Sequence, residues 1–425
     1  MLEAAPGADV EAIDLSLRRT APPWSPVRSF GFRTRRDGTV QPPGHIGPTE
    51  FADEDRWVPT FDHWWVFPAD PRTGILSGPV RAVFEEVRDD PSVKKIVLLG
   101  SRGLKIGGDN VAVVASESAA GQMYGLRAGT FLCTIGPRAD VNHPLGRRHH
   151  RFVDLGRPTG LPPDLVALGG QGLHGERPMP DASYDARLTR AVVTSSDAGS
   201  AAADQHFPDL DTDGVWAIGS PRVDLLLRDE DALSPELRGE LATLRGWLDG
   251  RRLVLLSPST GRELDLAAVA RWAGQRESEV VVAVLPTSGA LPRVPPPPVD
   301  LMDTRFPEAT VGLRVPPVAE MVWRLADVLV SGTPADPADF SPLGRPVVAA
   351  PGTSGLPFAV PADTEALLTA VETARDADPS YLARGQGLHA HSDGHSAARF
   401  VRRLKQTYLP REEWLSETEI VVSDA

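Results

Sequence analysis

Only one of the 425 residues, Cys133, is a cysteine. A single thiol excludes an intramolecular disulfide and a multi-cysteine zinc site, and it suits a reducing compartment. Long apolar runs are missing as well. The longest, VVVAVL from Val280 to Leu285, is far short of the roughly 20 apolar residues that a membrane-spanning helix needs. The amino-terminal stretch MLEAAPGADVEAIDLSLRR lacks the apolar core of a secretory signal. Excess positive charge is also absent, since 44 Lys and Arg stand against 57 Asp and Glu for a formal net charge of −13. That balance argues against general nucleic-acid binding and against loose attraction to an anionic membrane surface, because both depend on surplus Lys and Arg. A soluble intracellular protein is expected. No Walker-type phosphate loop is present, because GSRGLKIGG (Gly100 to Gly108) lacks the Lys-Ser/Thr ending, and no GxSxG nucleophile motif occurs.

What the chain does have is length, 41 prolines and 39 glycines, more than one ordinary domain and enough to bury large cores. Residues 1–60 are rich in Pro, Gly and Arg without periodicity and read as an extended or poorly ordered leader. From about Trp64, short apolar segments alternate with helical patterns. HWWVF precedes a stretch with Val80, Val83, Phe84 and Val87 on one helical face, and KKIVLLG follows, which is a βαβ signature. VAVVA, the helix-like SAAGQMYGLRA, TFLCTI, RFVDL, RAVVT and VWAIG continue the series.

A second series begins after a polar helix-like stretch, Ser234 to Asp249. It runs through RLVLLSPST, VVVAVLP, the loop PTSGALPRVPPPPVD, a helix near Val318 to Leu325, DVLVS, RPVVAAP and a helix from Asp363 to about Arg375. The four consecutive prolines form a stiff connector with few hydrogen bonds. A last helix, Ser396 to Tyr408, is placed to pack back across the first half. Alternating strands and helices favour doubly wound parallel sheets. The expected fold class is therefore α/β, with two Rossmann-like halves and a central cleft. Its divisions are a leader (1–60), a first half (61–230), a second half (231–390) and a carboxyl-terminal helix and tail (391–425).

Ligands of open α/β sheets bind outside the carboxyl ends of the strands, so residues there are the candidates for chemistry. After VWAIG the turn Gly219-Ser220-Pro221-Arg222 leads to Asp224. Glycine lets the backbone approach a phosphate, Arg222 offers a bidentate guanidinium, and Asp224 can orient it or bind a hydroxyl. The same residues also suit a Pro-initiated helix whose Arg and Asp pair with each other. Thr194, Ser195 and Ser196 after RAVVT read either as phosphate contacts or as a helix cap. Ser257, Ser259 and Thr260 after RLVLL, and Ser331 and Thr333 after DVLV, repeat the arrangement in the second half.

His389, His391, Asp393 and His395 in HAHSDGH make the most metal-like cluster, but no fourth well-placed ligand accompanies them and no metal site is assigned. His149 and His150, flanked by Arg147, Arg148 and Arg151, read as a solvated charge run or a basic loop.

Taken in order, HWWVF, VAVVASES with AGTFLCTI, RFVDLGRPTGL, RAVVTSSDAGSAAADQHF, VWAIGSPRVDLLL, RLVLLSPST and ADVLVSGTPADPADFSPLGRPVV resemble the CDP-glycerol glycerophosphotransferase family, the teichoic-acid polymerases and primases. The resemblance covers about residues 62 to 405, and Gly219-Ser220-Pro221-Arg222-Val223-Asp224 is its strongest piece. It implies a GT-B-like fold and transfer of glycerol phosphate from CDP-glycerol to the hydroxyl end of a lipid-linked polymer. No cofactor or metal is implied, and any membrane contact is peripheral, at the inner face of the plasma membrane.

The reaction needs a base, donors for a diphosphate and a cytidine pocket. The donor-site residues implied are Gly156, Arg157, Pro158, Ser196, Gly219, Pro221, Arg222, Ser257, Ser331 and Thr333. Two histidines that the family carries are replaced here by Leu155 and Leu285, which leaves Asp154 and Asp224 as substitute bases. Two other readings stand beside transfer: a non-catalytic family member that binds a nucleotide-activated donor, a polymer or a partner enzyme, and another GT-B glycosyltransferase.

Overall fold

The computed structural model describes residues 13–14, 31–32, 52, 55–69, 75–99, 106–116, 118–134, 136–141, 145–146, 148–155, 186–207, 209–211, 213–257, 264–284, 299–301, 318–332, 340–351, 360–374, 391 and 393–409. A short antiparallel ribbon pairs β1 (Ile13–Asp14) with β2 (Gly31–Phe32). The first large sheet contains β3 (Phe61–Pro68), β4 (Lys94–Leu99), β5 (Val111–Ala115), β6 (Ala128–Cys133), β7 (Arg151–Asp154), β8 (Thr189–Thr194) and β9 (Val215–Ala217). Its order is β5-β4-β3-β6-β7-β8-β9, all parallel. The second sheet contains β10 (Arg252–Ser257), β11 (Val280–Val284), β12 (Val299–Leu301), β13 (Ala326–Ser331) and β14 (Val347–Ala349), also parallel, in the order β12-β11-β10-β13-β14. In each sheet the chain first winds to one side and then returns to the other side of its first strand. These are two Rossmann-like halves, with switch points between β3 and β6 and between β10 and β13.

Side chains alternate across each strand, and the apolar runs are apolar on both faces because both faces are covered. On one face of the first sheet Trp65, Phe67, Val97, Leu99, Leu132, Val153 and Trp216 join a core that also takes Leu253, Leu255, Val281, Leu329 and Val347 from the second sheet. The opposite faces have cores of their own, Val66, Ile96, Leu98, Phe131 and Phe152 in the first half and Val254, Leu256, Val282, Val328 and Val348 in the second.

The shared core is filled by α1 (Gly78–Val87), α5 (Pro221–Leu227), α6 (Pro235–Leu248), α8 (Ala319–Leu325) and α10 (Ser396–Tyr408). The remaining helices among the described residues are α2 (Ala119–Arg127), α3 (Pro137–Val141), α4 (Asp197–His206), α7 (Leu266–Gly274) and α9 (Thr364–Thr373). Leu237, Leu241, Leu244 and Leu248 form the apolar stripe of α6. The last helix packs on the first half as its sequence suggests, with Trp216 5.8 Å from Phe400 and Arg151 4.6 Å over the Tyr408 ring.

Several expectations change. Val299 and Asp300, read as the end of a proline-rich loop, begin β12; the prolines themselves lie outside the described residues. The helix α7 between β10 and β11 is an addition to the elements expected from the sequence; it buries Val269, Ala270, Trp272 and Ala273, while of its exposed residues Ala267, Arg271 and Gly274 only Arg271 is polar. Asp55, inside the stretch read as leader, is buried against the first half. It accepts the Gly146 N–H at 2.7 Å, and its other oxygen lies 2.5 Å from His150 Nε2. His150 is therefore part of the core and not of a solvated charge run; its Nδ1 reaches the Ala128 carbonyl at 2.7 Å.

Candidate functional site

The switch point of the second sheet brings two predicted donor residues together. Parallel pairing of β10 with β13 places Ser257 directly beside Ser331, the last residue of each strand. Ser331 is fully buried and its carbonyl accepts the Ala350 N–H at 2.8 Å, which ties it to the next strand end. The carboxyl ends of the strands at a switch point are where open α/β sheets hold ligands. Thr333 and Leu285 lie outside the described residues, as do Gly156, Arg157 and Pro158 in the first half.

At the first switch point, the chain leaving β6 is held by Asp140, a residue not singled out in the sequence. Its carboxylate accepts the N–H of Thr134 at 2.7 Å and of Gly136 at 3.1 Å. A local Thr-x-x-x-x-x-Asp spacing was the only signal available for it. Next along the sheet, Asp154 closes β7 beside Cys133 and is 5% exposed. Leu155 follows it, donates its N–H to the Cys133 carbonyl at 2.7 Å and is itself in the shared core. Ser196 caps α4 by accepting the Gly199 N–H at 3.1 Å, while Thr194 Oγ1 meets Ser200 Oγ at 2.8 Å. Capping is thus what the Ser196 hydroxyl does within the fold.

The turn after β9 has a different set of partners from those its sequence suggests. Pro221 starts α5, as expected. Arg222 and Asp224, however, do not pair with each other. Arg222 Nε donates to Glu320 Oε1 at 2.6 Å, and its guanidinium lies 4.4 Å from the centre of the Trp323 ring. Asp224 is 1% exposed and accepts the N–H groups of Ser396 at 3.0 Å and Ala397 at 2.6 Å, so it caps α10 from 172 residues away. Burial raises the Asp224 pKa above its ordinary value, and the two N–H contacts oppose that shift. Gly219 has φ +96°, and a Cβ there would fall 2.3 Å from Ser396 Oγ. Glycine suits this point through its positive φ and the close approach of Ser396 and His391.

The histidine-rich segment returns to the same turn. The His391 backbone and Cβ lie against Gly219. Asp393 forms a two-pronged contact with Arg399 at 2.8 and 2.9 Å, which holds the Asp393 pKa down at about 2, and Arg399 Nε donates to the Ile218 carbonyl at 2.9 Å. His389 is outside the described residues. Among the described residues no three His, Cys, Asp or Glu side chains are grouped to hold a metal ion, and no helix is long and apolar enough to cross a membrane.

No protein-family model and no curated protein sequence matches the chain. Solved structures do. The wall teichoic acid polymerase TagF aligns with a TM-score of 0.61 at 11% identity, over 86% of this chain and 92% of its own. The chain has the fold of TagF. A histidine-to-asparagine variant of TagF soaked for 30 minutes with CDPG aligns at 0.59 and 12% identity, over 86% of this chain and 92% of that one. The two Rossmann-like halves with a central cleft, GT-B-like, are thus the architecture of both proteins.

Proposed function

We propose that the chain binds a nucleotide-activated donor of the CDP-glycerol type at the carboxyl ends of β10 and β13 and transfers its glycerol phosphate to a hydroxyl of a lipid-linked polymer. The observation that carries this reading is the side-by-side placement of Ser257 and Ser331 at the second switch point. The TagF fold and the soak of a TagF variant with CDPG support the class of donor. In the transfer the polymer oxygen attacks the phosphorus that bears glycerol, the bond to the bridging oxygen breaks, and CMP leaves. The hydroxyl proton passes to a base. Asp154 at the end of β7, next to the position where the resemblance places an imidazole, is the candidate for that base, with Asp224, whose two oxygens accept backbone N–H groups, as the alternative.

A second reading, binding without transfer, is favoured by Leu155. The resemblance places an imidazole there, and the chain has a 5% exposed leucine packed into the shared core. We place either activity in the cytoplasm, with contact to the inner membrane face that is peripheral at most.

Calorimetric titration with CDP-glycerol, CDP-ribitol and simple nucleotide sugars, followed by an assay of CMP release with a lipid-linked acceptor, separates the readings. Preferential CDP-glycerol binding with CMP release supports transfer. Binding alone supports the second reading, and no binding to any CDP donor overturns both.

A further inference from the structure

One short helix of the second half grips both ends of one short helix of the first. At the start of α5, Arg222 is held by the Glu320 carboxylate and by the Trp323 ring, both on α8. At its other end, Arg324 Nη1, also from α8, donates to the carbonyls of Leu225 at 2.9 Å, Leu226 at 3.2 Å and Arg228 at 2.6 Å. These are carbonyls that a helix end leaves without intrahelical partners. The second oxygen of Glu320 reaches further into the first half and accepts the Gly78 N–H at the start of α1, at 3.2 Å. Glu320 is fully buried. One carboxylate from the second half therefore joins two helices of the first.

The apolar core between the sheets excludes water but is non-directional, so by itself it leaves sliding and rotation of packed helices open. Both oxygens of the buried Glu320 carboxylate are engaged and the part-buried Arg324 contacts are directional, so together they specify one arrangement more sharply than apolar packing does. We propose that Glu320 is a positioning residue that fixes the angle between the two halves, with Arg324 as its counterpart at the far end of α5. Resting on the function proposed above, this angle sets the gap between Asp154 on the first rim and Ser257 and Ser331 on the second. Arg222 then serves the geometry of the cleft and does not contact the donor.

The test uses the full chain labelled at Ala120→Cys on α2 and Thr369→Cys on α9, both exposed and one on each half; Cys133 is buried and escapes labelling. Distance distributions between the labels are measured by pulsed electron paramagnetic resonance for the otherwise unaltered protein, Glu320→Ala and Glu320→Gln. A single narrow peak is expected in the first, lost in Glu320→Ala and broadened in Glu320→Gln, which retains an acceptor without the charge. Circular dichroism confirms that each variant is folded, and Glu320→Gln decides the matter if the alanine variant does not fold.

With the donor held at the ends of β10 and β13 as proposed above, CDP-glycerol affinity should stay within about twofold, while CMP release falls about 100-fold as the rims move apart. A folded Glu320→Gln protein with the unaltered distance distribution overturns the proposal, as does a broad distribution before any substitution. A narrow peak that broadens as expected in a protein releasing no CMP leaves the positioning role standing and removes only the transfer reading.

Discussion

Replacing Glu240 by glutamine should stabilise the protein, and the gain should grow as the pH rises from 5 to 8. Glu240 is half-buried on α6, and its carboxyl accepts the Val318 N–H that begins α8. Burial pushes its pKa from 4.5 up to about 8, opposed by the Val318 hydrogen bond and the Arg81 charge and assisted by the Glu320 charge. In the unfolded chain the group ionises near its ordinary value, so between about pH 4.5 and 8 the folded state holds a proton that the unfolded state has released. Stability therefore falls across that window and levels off above it.

The full difference between 4.5 and about 8, at 1.36 kcal/mol for each unit, is about 4.8 kcal/mol. Solvent screening at a half-buried site reduces the expected effect to about 2 to 3 kcal/mol. Glutamine keeps the shape and the acceptor for Val318 and has no proton to lose. Guanidinium unfolding of both proteins at pH 5, 6, 7 and 8, at constant salt, should show a gain below about 1 kcal/mol at pH 5, rising to about 2 to 3 kcal/mol at pH 8. Parallel pH profiles for the two proteins would refute this account of Glu240.

Asp224→Ala leaves two buried N–H groups of α10 without an acceptor and should cost about 2 to 4 kcal/mol by chemical denaturation, with the carboxyl-terminal helix the first segment to lose hydrogen-exchange protection. Gly219→Ala forces a left-handed residue and a methyl group into Ser396; the expected loss is about 2 to 4 kcal/mol, seen as a lower melting temperature, and a neutral effect would contradict the packing described for that turn. Ser331→Ala should weaken CDP-glycerol binding about tenfold by calorimetry if its hydroxyl meets the donor, and unchanged affinity would move the donor site away from the second switch point.

Most of the architecture was legible in the sequence because each half repeats a local pattern. KKIVLL, RAVVT and VVVAV are apolar on both faces, and only a strand covered by helices on both sides needs that composition. The helix Ser396–Tyr408 was readable for the complementary reason, an apolar stripe on an otherwise charged segment. Boundaries and small elements were less legible. A three-residue strand such as β12 carries too few side chains to show a period, and its place is set by pairing with β11.

The candidate site divides along the same line. That Ser257 and Ser331 end strands follows from their own neighbours in the chain. That they stand side by side follows only from β13 pairing with β10 instead of with β11 or β12, a choice made by the winding of the whole sheet.

The sequence Gly-Ser-Pro-Arg-Val-Asp determines by itself a turn and a helix start, since proline fixes the first helical residue and glycine permits a positive φ. It does not determine the partners of Arg222 and Asp224. Glu320 is 98 residues from Arg222, and Ser396 is 172 residues from Asp224. Nothing local distinguishes an arginine aimed at a phosphate from one aimed at a distant glutamate, because the guanidinium and its required geometry are the same. Only the closure of the two halves and the return of the last helix bring those partners into place.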